Sequence, residues 1–490
     1  MGVAKDTFMQ APVTEPQTTD TQGVPLVVDL DGTLCRTDTL QEGVLALIAN
    51  RPLALLQLPG WLSEGRAGLK ARLADQGVVA PDELPMNDAV VEMINVARDE
   101  GRRTALVSAA DHRQVTAVAA ATGLFDEAYG SAEGQNLKGD AKAAFLTQHF
   151  GPKMFDYVGD SRADLPVWAA ARRGITVRAG QGLRHAAAAA NSDIHHIDPP
   201  EGRLAVHLRA MRPHQWLKNI LMFLPAMAAH DLTRLLPVLL CFLAFCLTAS
   251  AVYVINDLLD LASDRAHPRK RERPFAAGEL TAGTGVAMAG GLLFSALILG
   301  LLTGNLLFLA VLIFYLAITF AYSMWLKRKL IVDVLTLAGL YTTRIIAGGV
   351  AASVVLSPWL LGFSMFLFLA LAAVKRQAEL TDQFKAGRES AGRAYEIGDL
   401  PVLRGVALSA TQAAVLVLAL YISSTDVQAL YSRPTVLWLI CPILLYWCIR
   451  MVMKAHRGIM PDDPIVFAVR DQVSLLLIIV CATLVGIAAL

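Results

Sequence analysis

The stretch NDLLDLASDRAHPRKRERP, residues 256–274, decides the fold because it ends a long apolar run with closely spaced charges. The run before it, residues 235–255, is long enough to cross a bilayer. If the helix continues, four polar residues lie on or beside one face of it: Asn256, Asp257, Asp260 and Asp264. Five cations follow: Arg265, Arg269, Lys270, Arg271 and Arg273. Carboxylates beside cations at a membrane boundary suit a phosphate or diphosphate bridged by Mg²⁺, which prefers oxygen ligands.

A simpler interpretation of this stretch is a helix end with solvated charges and a basic cytoplasmic loop. Against it, three acids and an asparagine at helical spacing cost free energy near lipid unless they serve a site. The spacing resembles NDxxDxxxD, the first aspartate-rich motif of the UbiA-type intramembrane prenyltransferase superfamily. This resemblance implies that Asn256, Asp257, Asp260 and Asp264 hold Mg²⁺ and that the three aspartates are catalytic.

Composition divides the 490-residue chain into two parts. Residues 1–200 have the composition of a soluble domain, whereas residues 215–490 consist mostly of apolar runs. Residues 1–22 are predicted to be a disordered tail, since they contain no apolar stretch of the kind a secretory signal needs. The net charge of +1 gives no argument for a nucleic-acid partner, and a homo-oligomer is left open.

The first half predicts an α/β Rossmann-like domain with a small helical cap. Short β-branched runs predict strands at 24–30, 104–108, 155–159 and 174–179. Helical stretches alternate with them, which favours a parallel sheet covered on both faces. A mainly helical insertion at about 40–98 supplies the cap. We expect this domain to occupy residues 23–185 and a linker to occupy residues 186–205.

Four motifs in this half resemble, in order, those of the haloacid-dehalogenase phosphatase superfamily. The first is DLDGTL at 29–34, which matches the family's DxDGT. Ser108 ends a predicted strand, and Lys142 opens a predicted helix, with Lys138 as the alternative lysine. Asp160 and Asp164 lie in VGDSRADLP. Four motifs in family order are a specific signal, although a degenerate domain kept as a scaffold is the alternative.

This resemblance implies phosphomonoester hydrolysis. Asp29 would attack phosphorus and form an aspartyl-phosphate, and Asp31 would protonate the leaving oxygen and then activate water. Ser108 and Lys142 would bind the phosphoryl oxygens. The implied Mg²⁺ ligands are Asp29, Asp31, Asp160 and Asp164.

The second half predicts an all-α polytopic membrane domain, residues 206–490, with about nine transmembrane helices. The predicted spans are 215–231, 235–256, 282–302, 304–325, 331–351, 357–375, 403–421, 434–451 and 468–490. An amphipathic surface helix precedes them. Lysine and arginine concentrate in alternate gaps, which places those gaps and the N-terminal domain in the cytoplasm. We therefore expect an integral protein of the cytoplasmic membrane.

Polar groups at the predicted cytoplasmic ends are the binding candidates of this half. They are Lys218, Lys270, Arg271, Arg273, Tyr322, Lys327, Asp333, Arg344, Lys375 and Arg376. Further charged residues near span ends are Glu379, Asp462, Asp463, Arg470 and Asp471. The Lys-Arg pairs could serve membrane topology alone, whereas Arg344, inside a predicted span, requires a partner or a polar cavity.

One departure from the superfamily pattern bears on the substrate. Superfamily members that prenylate aromatic rings carry a second motif, DxxxD, but here Asp333 is followed at that spacing by Leu337. RPHQWLKN, the 256–274 block, YSMWLKRKLIVDV and VKRQAEL together resemble the decaprenyl-phosphate phosphoribosyltransferase branch. This resemblance implies transfer of phosphoribose from phosphoribosyl diphosphate to a polyprenyl phosphate. The surplus cations would hold the ribose 5-phosphate and the lipid phosphate.

The fusion suggests a two-step reaction, since the product of such a transfer carries a 5-phosphate that a phosphatase domain could remove. One alternative is an aromatic prenyltransferase for a quinone or haem precursor, attached to an unrelated sugar phosphatase. Another is a lipid-phosphate carrier with a regulatory phosphatase domain, although a transported anion needs no metal-binding carboxylates.

Overall fold

The computed structural model describes residues 23–63, 65–75, 79–132, 136–197, 203–229, 232–385, 394–460 and 463–490. The predicted tail 1–22 and Asp462 lie outside these residues. The chain forms two compact units. The first comprises Met1–Gly202, Leu261–Glu272 and Ala276–Ala282; the second comprises Arg203–Asp260, Arg273–Phe275 and Gly283–Leu490.

The first unit contains a six-stranded sheet in which every pairing between neighbours is parallel. Its strands are β1 (Leu26–Val28), β2 (Thr104–Asp111), β3 (Glu127–Ser131), β4 (Asp156–Gly159), β5 (Gly174–Val177) and β6 (Ile194–Ile197). The order β3-β2-β1-β4-β5-β6 places β1 in the interior of the sheet. The strands β1, β4 and β5 are fully buried, as expected for a parallel sheet covered on both faces. The predicted α/β domain is therefore confirmed.

Helices of the first unit either cover the sheet or build the cap. The α-helices are α1 (Thr39–Asn50), α2 (Leu58–Ser63), α3 (Gly65–Asp75), α4 (Asp88–Asp99), α5 (His112–Thr122), α6 (Asp140–Phe150), α7 (Leu165–Ala170) and α8 (Gln181–Ala190). The cap follows β1, as the sequence predicts, and has its own small core of Leu47, Ala54, Leu69 and Leu73. Asp38 caps α1 by accepting a hydrogen bond from the Gln41 amide.

The predicted linker is wrong over residues 186–197. Helix α8 and strand β6 occupy these residues, and β6 pairs with β5 along its whole length. The sequence IHHI lacks a continuous apolar run because its two central histidines are exposed. The pairing with β5, and a hydrogen bond between Thr176 and His196 (2.6 Å), hold this edge strand in place. The soluble fold therefore extends past residue 185.

The second unit is helical and opens with α9 (Arg203–Met211), where the amphipathic helix is predicted. The longer α-helices that follow are α11 (Leu235–Leu259), α13 (Ala282–Leu302), α14 (Leu306–Met324), α15 (Val332–Ala351), α16 (Pro358–Lys385), α17 (Leu400–Ile422), α19 (Ile440–His456) and α21 (Gln472–Ala489). The short ones are α10 (Leu224–Ala228), α12 (Leu261–Ala266), α18 (Thr425–Leu430) and α20 (Pro464–Arg470), of which α12 belongs to the first unit.

Within the described residues, eight helices are long and apolar enough to cross a membrane. They correspond to the second to ninth predicted spans. The first predicted span, 215–231, has another form: a 3-10 helix, Pro213–Phe223, runs into the short helix α10, with Pro225 at its start. Proline removes a backbone donor and favours this break. The spans α11 and α15 are the most buried, at 61% and 67%, against 11–39% for the other six.

The helix expected to continue through residue 264 is interrupted. Helix α11 ends at Leu259, and Asp260 leaves helical geometry with φ −99° and ψ 13°. Aspartate competes with the helix by bonding to other groups, which favours helix ends. Asp264 then lies on the separate helix α12, in the first unit, so a single uninterrupted helical face for the motif is wrong.

Candidate functional site

The catalytic candidates of the first unit gather at the carboxyl edge of the sheet. Asp29 follows β1, Ser108 lies within β2, and Asp160 follows β4. These three strands are neighbours, so their ends meet at one crevice, which is where open α/β sheets bind ligands. Asp29 and Ser108 are buried and Asp160 is half-buried. The sheet topology therefore brings together residues that are up to 131 positions apart, between Asp29 and Asp160.

A buried lysine organises this crevice. The Lys142 ammonium donates to Asp29 Oδ1 (2.9 Å) and to the Tyr157 hydroxyl (2.9 Å). Tyr157 in turn donates to Asp164 Oδ1 (2.8 Å), while the amide and hydroxyl of Ser161 donate to Asp164 Oδ2 (both 3.0 Å). Burial opposes the charge on Lys142, but Asp29 and Asp164 hold its pKa above the ordinary value. Lys142 therefore remains a cation beside the proposed nucleophile.

Three carboxylates of this network could hold a metal ion. One oxygen each from Asp29, Asp160 and Asp164 lies within 4.8 Å of the others. Among the described residues, Asp160 has no hydrogen bond or ion pair, and burial together with its two acidic neighbours raises its pKa to about 8. Three clustered carboxyl groups, one of which has no cationic partner within hydrogen-bond distance among the described residues, form a donor set that suits Mg²⁺. These residues fit the predicted metal.

Asp31 does not belong to that carboxylate cluster within the described part of the chain, so its predicted place in the metal set is not supported. Its Oδ1 accepts a hydrogen bond from the Thr39 amide (2.8 Å), the first residue of α1. Burial, and then the neighbouring Asp38, raise the pKa of Asp31 to about 7. A carboxyl group that can hold a proton near neutrality is suited to general acid and base chemistry.

Gly32 makes room for Asp160. Its φ of +75° favours glycine, and an added Cβ would lie 2.0 Å from Asp160 Oδ2. The glycine of the DxDGT motif thus serves the close approach of two loops at the carboxylate cluster.

A cavity of about 1080 Å³ opens over these residues. The catalytic edge lines it, as do Lys70 of the cap, Lys138 and Thr281. Lys138 is exposed, whereas Lys142 is buried against Asp29, which favours Lys142 as the lysine of the motif. The Lys70 ammonium donates to the Ala109 carbonyl (2.5 Å), next to Ser108, so the cap contacts the catalytic edge directly.

In the second unit, Asp257 is buried and paired with two arginines. Arg212 Nη2 lies 2.5 and 2.6 Å from its two carboxylate oxygens, and Arg273 Nη1 lies 3.3 Å from Oδ1. Asp260 pairs with Lys327, whose ammonium is 3.2 Å from Oδ1. The predicted convergence of motif acids with basic side chains is thus observed for these two aspartates.

A second charged group lies where the 3-10 helix Pro213–Phe223 and α20 approach each other. Lys218 is buried, forms an ion pair with Asp463, and lies 5.9 Å from the centre of the Tyr341 ring. Lys375 is near enough to both Lys218 and Asp463 to interact electrostatically with them. Two lysines therefore share one carboxylate, an excess of positive charge that could receive an anion.

Asp333 and Arg376 form a buried ion pair that also contacts Tyr322 and Glu379. The Arg376 Nε lies 2.7 Å from Asp333 Oδ2, and the Tyr322 hydroxyl donates to Asp333 Oδ1 (2.7 Å). Arg376 also pairs with Glu379. The structure brings these predicted residues together as an ion pair whose side chains are 0% (Asp333) and 1% (Arg376) exposed, with one hydrogen bond from Arg376 Nη2 to Asp333 Oδ1 (3.1 Å). This arrangement favours a role in stabilising the helices.

Arg344 also has protein partners inside the membrane domain. It donates to Asn219 Oδ1 (2.8 Å), to the Leu340 carbonyl (2.5 Å) and to the Tyr315 hydroxyl (3.2 Å). Its guanidinium lies 5.2 Å from the centre of the Tyr315 ring. The polar partner that an intramembrane cation requires is therefore Asn219, on the 3-10 helix.

The remaining predicted residues are placed differently. Asn256 is half-buried on α11. Asp264, Lys270 and Arg271 belong to the first unit; Asp264 is buried, Lys270 half-buried and Arg271 exposed. The structure thus divides the 256–274 stretch, keeping Asp257 and Asp260 in the second unit.

Sequence reasoning missed two contacts of this site. Arg212 is not among the predicted binding candidates, yet it is the bidentate partner of Asp257. Tyr157 was part of a predicted strand, yet its hydroxyl joins Lys142 to Asp164. The available signals were the arginine that opens the motif RPHQWLKN and the tyrosine that directly precedes VGD.

Comparison with known proteins agrees with the division of the chain into an α/β domain and a helical membrane domain. Residues 220–488, more than half of the chain, match the UbiA prenyltransferase family, and residues 26–168 match haloacid dehalogenase-like hydrolase. An uncharacterized protein, y4nM, of Sinorhizobium fredii is 36% identical over 92% of this chain and 88% of its own length. Nodulation protein NoeC of Azorhizobium caulinodans is 38% identical over 56% of this chain and 90% of its own length.

A decaprenyl-phosphate phosphoribosyltransferase of Mycolicibacterium smegmatis is 39% identical over 37% of this chain and 59% of its own length. The fold and the two charged sites define an integral membrane enzyme with a soluble hydrolase-type domain. The chain belongs to the UbiA prenyltransferase family and carries a haloacid dehalogenase-like domain before its membrane part.

Proposed function

We propose that the chain transfers 5-phosphoribose from phosphoribosyl diphosphate to a polyprenyl phosphate and then removes the 5-phosphate. The observation that carries this proposal is the presence, in one chain, of a membrane part similar to decaprenyl-phosphate phosphoribosyltransferases and a cluster of three carboxylates beside a buried lysine. In the transfer, a lipid phosphate oxygen attacks ribose C1 while the bond from C1 to the diphosphate breaks. The product keeps a 5-phosphate, which is a phosphomonoester.

Charge in the second unit supports the transfer step. Asp257 and Asp260 are the carboxylates available for Mg²⁺, which would neutralise the departing diphosphate. Arg212, Arg273 and Lys327 contact these two acids, so an incoming anion would find cations already positioned. The excess lysine near Asp463 provides a second place for a phosphate group. Three anionic groups on two substrates require this many cations, whereas an aromatic acceptor would not.

The phosphatase step follows from the geometry around Asp29. A free oxygen of Asp29 attacks the 5-phosphate phosphorus, and the bond to the ribose oxygen breaks. Asp31 donates its proton to that oxygen, then takes a proton from the water that hydrolyses the aspartyl-phosphate. Lys142 and Ser108 stabilise the phosphoryl oxygens as charge develops. Asp29, Asp160 and Asp164 would hold Mg²⁺, which supplies further charge neutralisation.

Because both substrates of the pathway carry phosphate and one is soluble in the cytoplasm, we further propose that the soluble domain lies on the cytoplasmic side. Clusters of lysine and arginine in alternate connections favour this orientation. The membrane would then be the inner membrane of a bacterial cell.

The test is a product analysis in membranes that contain the full chain. Radiolabelled phosphoribosyl diphosphate and decaprenyl phosphate with Mg²⁺ should yield a lipid-linked ribose without its 5-phosphate. In Asp29→Asn the 5-phosphorylated lipid should accumulate, and in Asp257→Asn no lipid-linked ribose should form. Asp382→Asn, a half-buried aspartate near the end of α16, is the matched control. Absence of any lipid-linked ribose in the wild type, with prenylation of an added aromatic acid instead, would replace the proposal with the aromatic alternative.

A further inference from the structure

Residues 261–272 and 276–282 are distant in sequence from the α/β domain, yet they belong to the first unit. Arg265 anchors this segment. Its two terminal nitrogens lie 2.8 and 2.6 Å from the two carboxylate oxygens of Glu42, on cap helix α1, and its Nε donates to the Ala276 carbonyl (3.0 Å). The two side chains are 10% and 5% exposed. A bidentate ion pair with so little solvent contact fixes both the distance and the relative orientation of the Arg265 and Glu42 side chains.

Arg178 provides a second anchor. Its guanidinium donates to the carbonyl oxygens of Gly278 (3.0 Å) and Glu279 (2.7 Å), and also to that of Arg36 (3.0 Å). Gly278 has a φ of +69°, and an added Cβ would lie 2.7 Å from the Arg36 Cβ. The segment is thus fitted closely against the loop that follows the DxDGT motif.

The segment contacts the cavity over the carboxylate cluster near its C-terminal end. Thr281 lines the same cavity as Asp29 and Asp160 and is half-buried there. The anchors therefore hold one residue of the 261–282 segment at the wall of the proposed phosphatase site.

We propose that the 261–282 segment forms one wall of the substrate-binding cavity of the proposed phosphatase site, and that Thr281 is a specificity-determining residue. A threonine hydroxyl suits hydrogen bonding to a hydroxylated leaving group, such as a sugar. Arg265 and Glu42 are positioning residues that act through Thr281. This inference rests on the proposed phosphatase activity, and it assigns a role in the second reaction to residues that lie between α11 and α13 in sequence but belong to the first unit.

The first test measures KM and kcat for ribose 5-phosphate hydrolysis by the full chain, in a variant of the anchor Arg265 and in a control variant. Arg265→Met should raise KM at least fivefold and leave kcat nearly unchanged, since Asp29 and Lys142 are untouched. Arg172→Met is the matched control, because Arg172 forms a bidentate pair with Asp156 in the same unit but away from the cavity. Its KM should stay within twofold. The exchange Glu42→Arg with Arg265→Glu should restore most of the loss.

The second test separates specificity from stability. Thr281→Val should raise KM for ribose 5-phosphate but not for para-nitrophenyl phosphate, whose leaving group has no hydroxyl groups. Thr147→Val, a half-buried threonine of α6 outside the cavity, should change neither KM. An equal change for both substrates in Thr281→Val would overturn the specificity role.

Limited proteolysis gives a result that does not depend on turnover. Trypsin should cleave after the exposed Arg269 and Arg271 several times faster in Arg265→Met than in the wild type. Orthovanadate with Mg²⁺ should slow this cleavage in the wild type. Faster cleavage in Arg265→Met with an unchanged KM, or no protection by orthovanadate, would overturn the inference. A wild-type protein that hydrolyses neither phosphomonoester, but that orthovanadate still protects from trypsin, would refute the proposed phosphatase activity. The placement of the 261–282 segment at the cavity would stand.

Discussion

Lys142 shows how much of the proposed phosphatase site depends on a single side chain. It lies 2.9 Å from both Asp29 and Tyr157 and 3.6 Å from Asp164, so it contacts every part of the carboxylate cluster except Asp160. Its charge is retained despite burial because two carboxylates face it. In the ligand-free chain it neutralises Asp29, and with substrate present it can bind the transferred phosphoryl group.

We expect Lys142→Met to lower the kcat for phosphomonoester hydrolysis by about 10²–10³, the usual effect of removing one donor from a developing oxyanion. Lys138→Met should change KM alone, since this lysine is exposed at the cavity wall. Steady-state kinetics on the full chain with ribose 5-phosphate measure both. A large loss of kcat in Lys138→Met, with Lys142→Met unaffected, would assign the motif to the other lysine.

At the scale of elements, helix α15 and the 3-10 helix Pro213–Phe223 are in unusually close contact. A Cβ on Gly348 would lie 2.0 Å from the Met222 carbonyl oxygen, which is backbone and cannot rotate away. Arg344, one turn earlier on α15, donates to Asn219 of the same 3-10 helix. The irregular first segment is thus held by close backbone packing and by a buried polar contact.

Gly348→Ala should therefore destabilise the membrane domain, because the two elements must separate to admit the methyl group, at a cost of about 1–3 kcal/mol. Gly339→Ala on the same helix, where a Cβ meets nothing within 4 Å, is the control. It should be neutral or slightly stabilising, since alanine favours helix by about 1 kcal/mol. Thermal unfolding in detergent compares the two, and equal stability would contradict the close contact.

The pair of Asp333 and Arg376 joins α15 to α16. Removing only the arginine, in Arg376→Met, leaves a fully buried carboxylate without its cation and should cost about 3–5 kcal/mol. The double variant Asp333→Asn with Arg376→Met should recover part of that loss because no buried charge remains. Unfolding in detergent and transfer activity at low temperature are the readouts. Normal stability with abolished transfer in Arg376→Met would instead show that Arg376 binds substrate.

At the scale of the whole molecule, a UbiA-type membrane domain and a haloacid dehalogenase-like domain are carried on one chain, and the two reactions proposed for them would share an intermediate. Tethering raises the effective concentration of the first product at the second site. The 261–282 segment connects α11 to α13 in sequence, and all of its residues except Arg273–Phe275 belong to the first unit. The first unit thus includes residues that lie, in sequence, between two of the membrane-length helices.

A mixing experiment tests the value of this fusion. Vesicles that contain equal amounts of Asp29→Asn and Asp257→Asn chains hold both activities on different molecules. They should accumulate 5-phosphorylated lipid before dephosphorylating it, whereas the wild type at equal active-site concentration should show a much shorter lag. Time courses of the two labelled lipids distinguish these cases. Identical lags would show that tethering contributes nothing to the sequence of reactions.

The sequence by itself determined the division of the chain, the long helices and most of the sheet. Apolar runs identify eight spans because a helix in lipid must satisfy its backbone internally, a constraint that is local in sequence. The strand at 24–30 was predictable because fully buried parallel strands are continuously apolar, as β1 is over Leu26–Val28. Asp29 and Asp31 were located from the sequence because both lie within one short motif, DLDGTL at 29–34.

Tertiary structure decided what depends on partners far along the chain. Strands β3 and β6 have weak sequence signals and form because β2 and β5 pair with them. Lys142 rather than Lys138 contacts Asp29, and the distant Arg212 joins Arg273 in pairing with Asp257, through contacts across 113 and 45 positions. The break at Asp260 and the anchoring of residues 261–282 by Glu42 likewise depend on packing. Pairwise contacts of buried charges are fixed by the three-dimensional arrangement, and no local pattern encodes them.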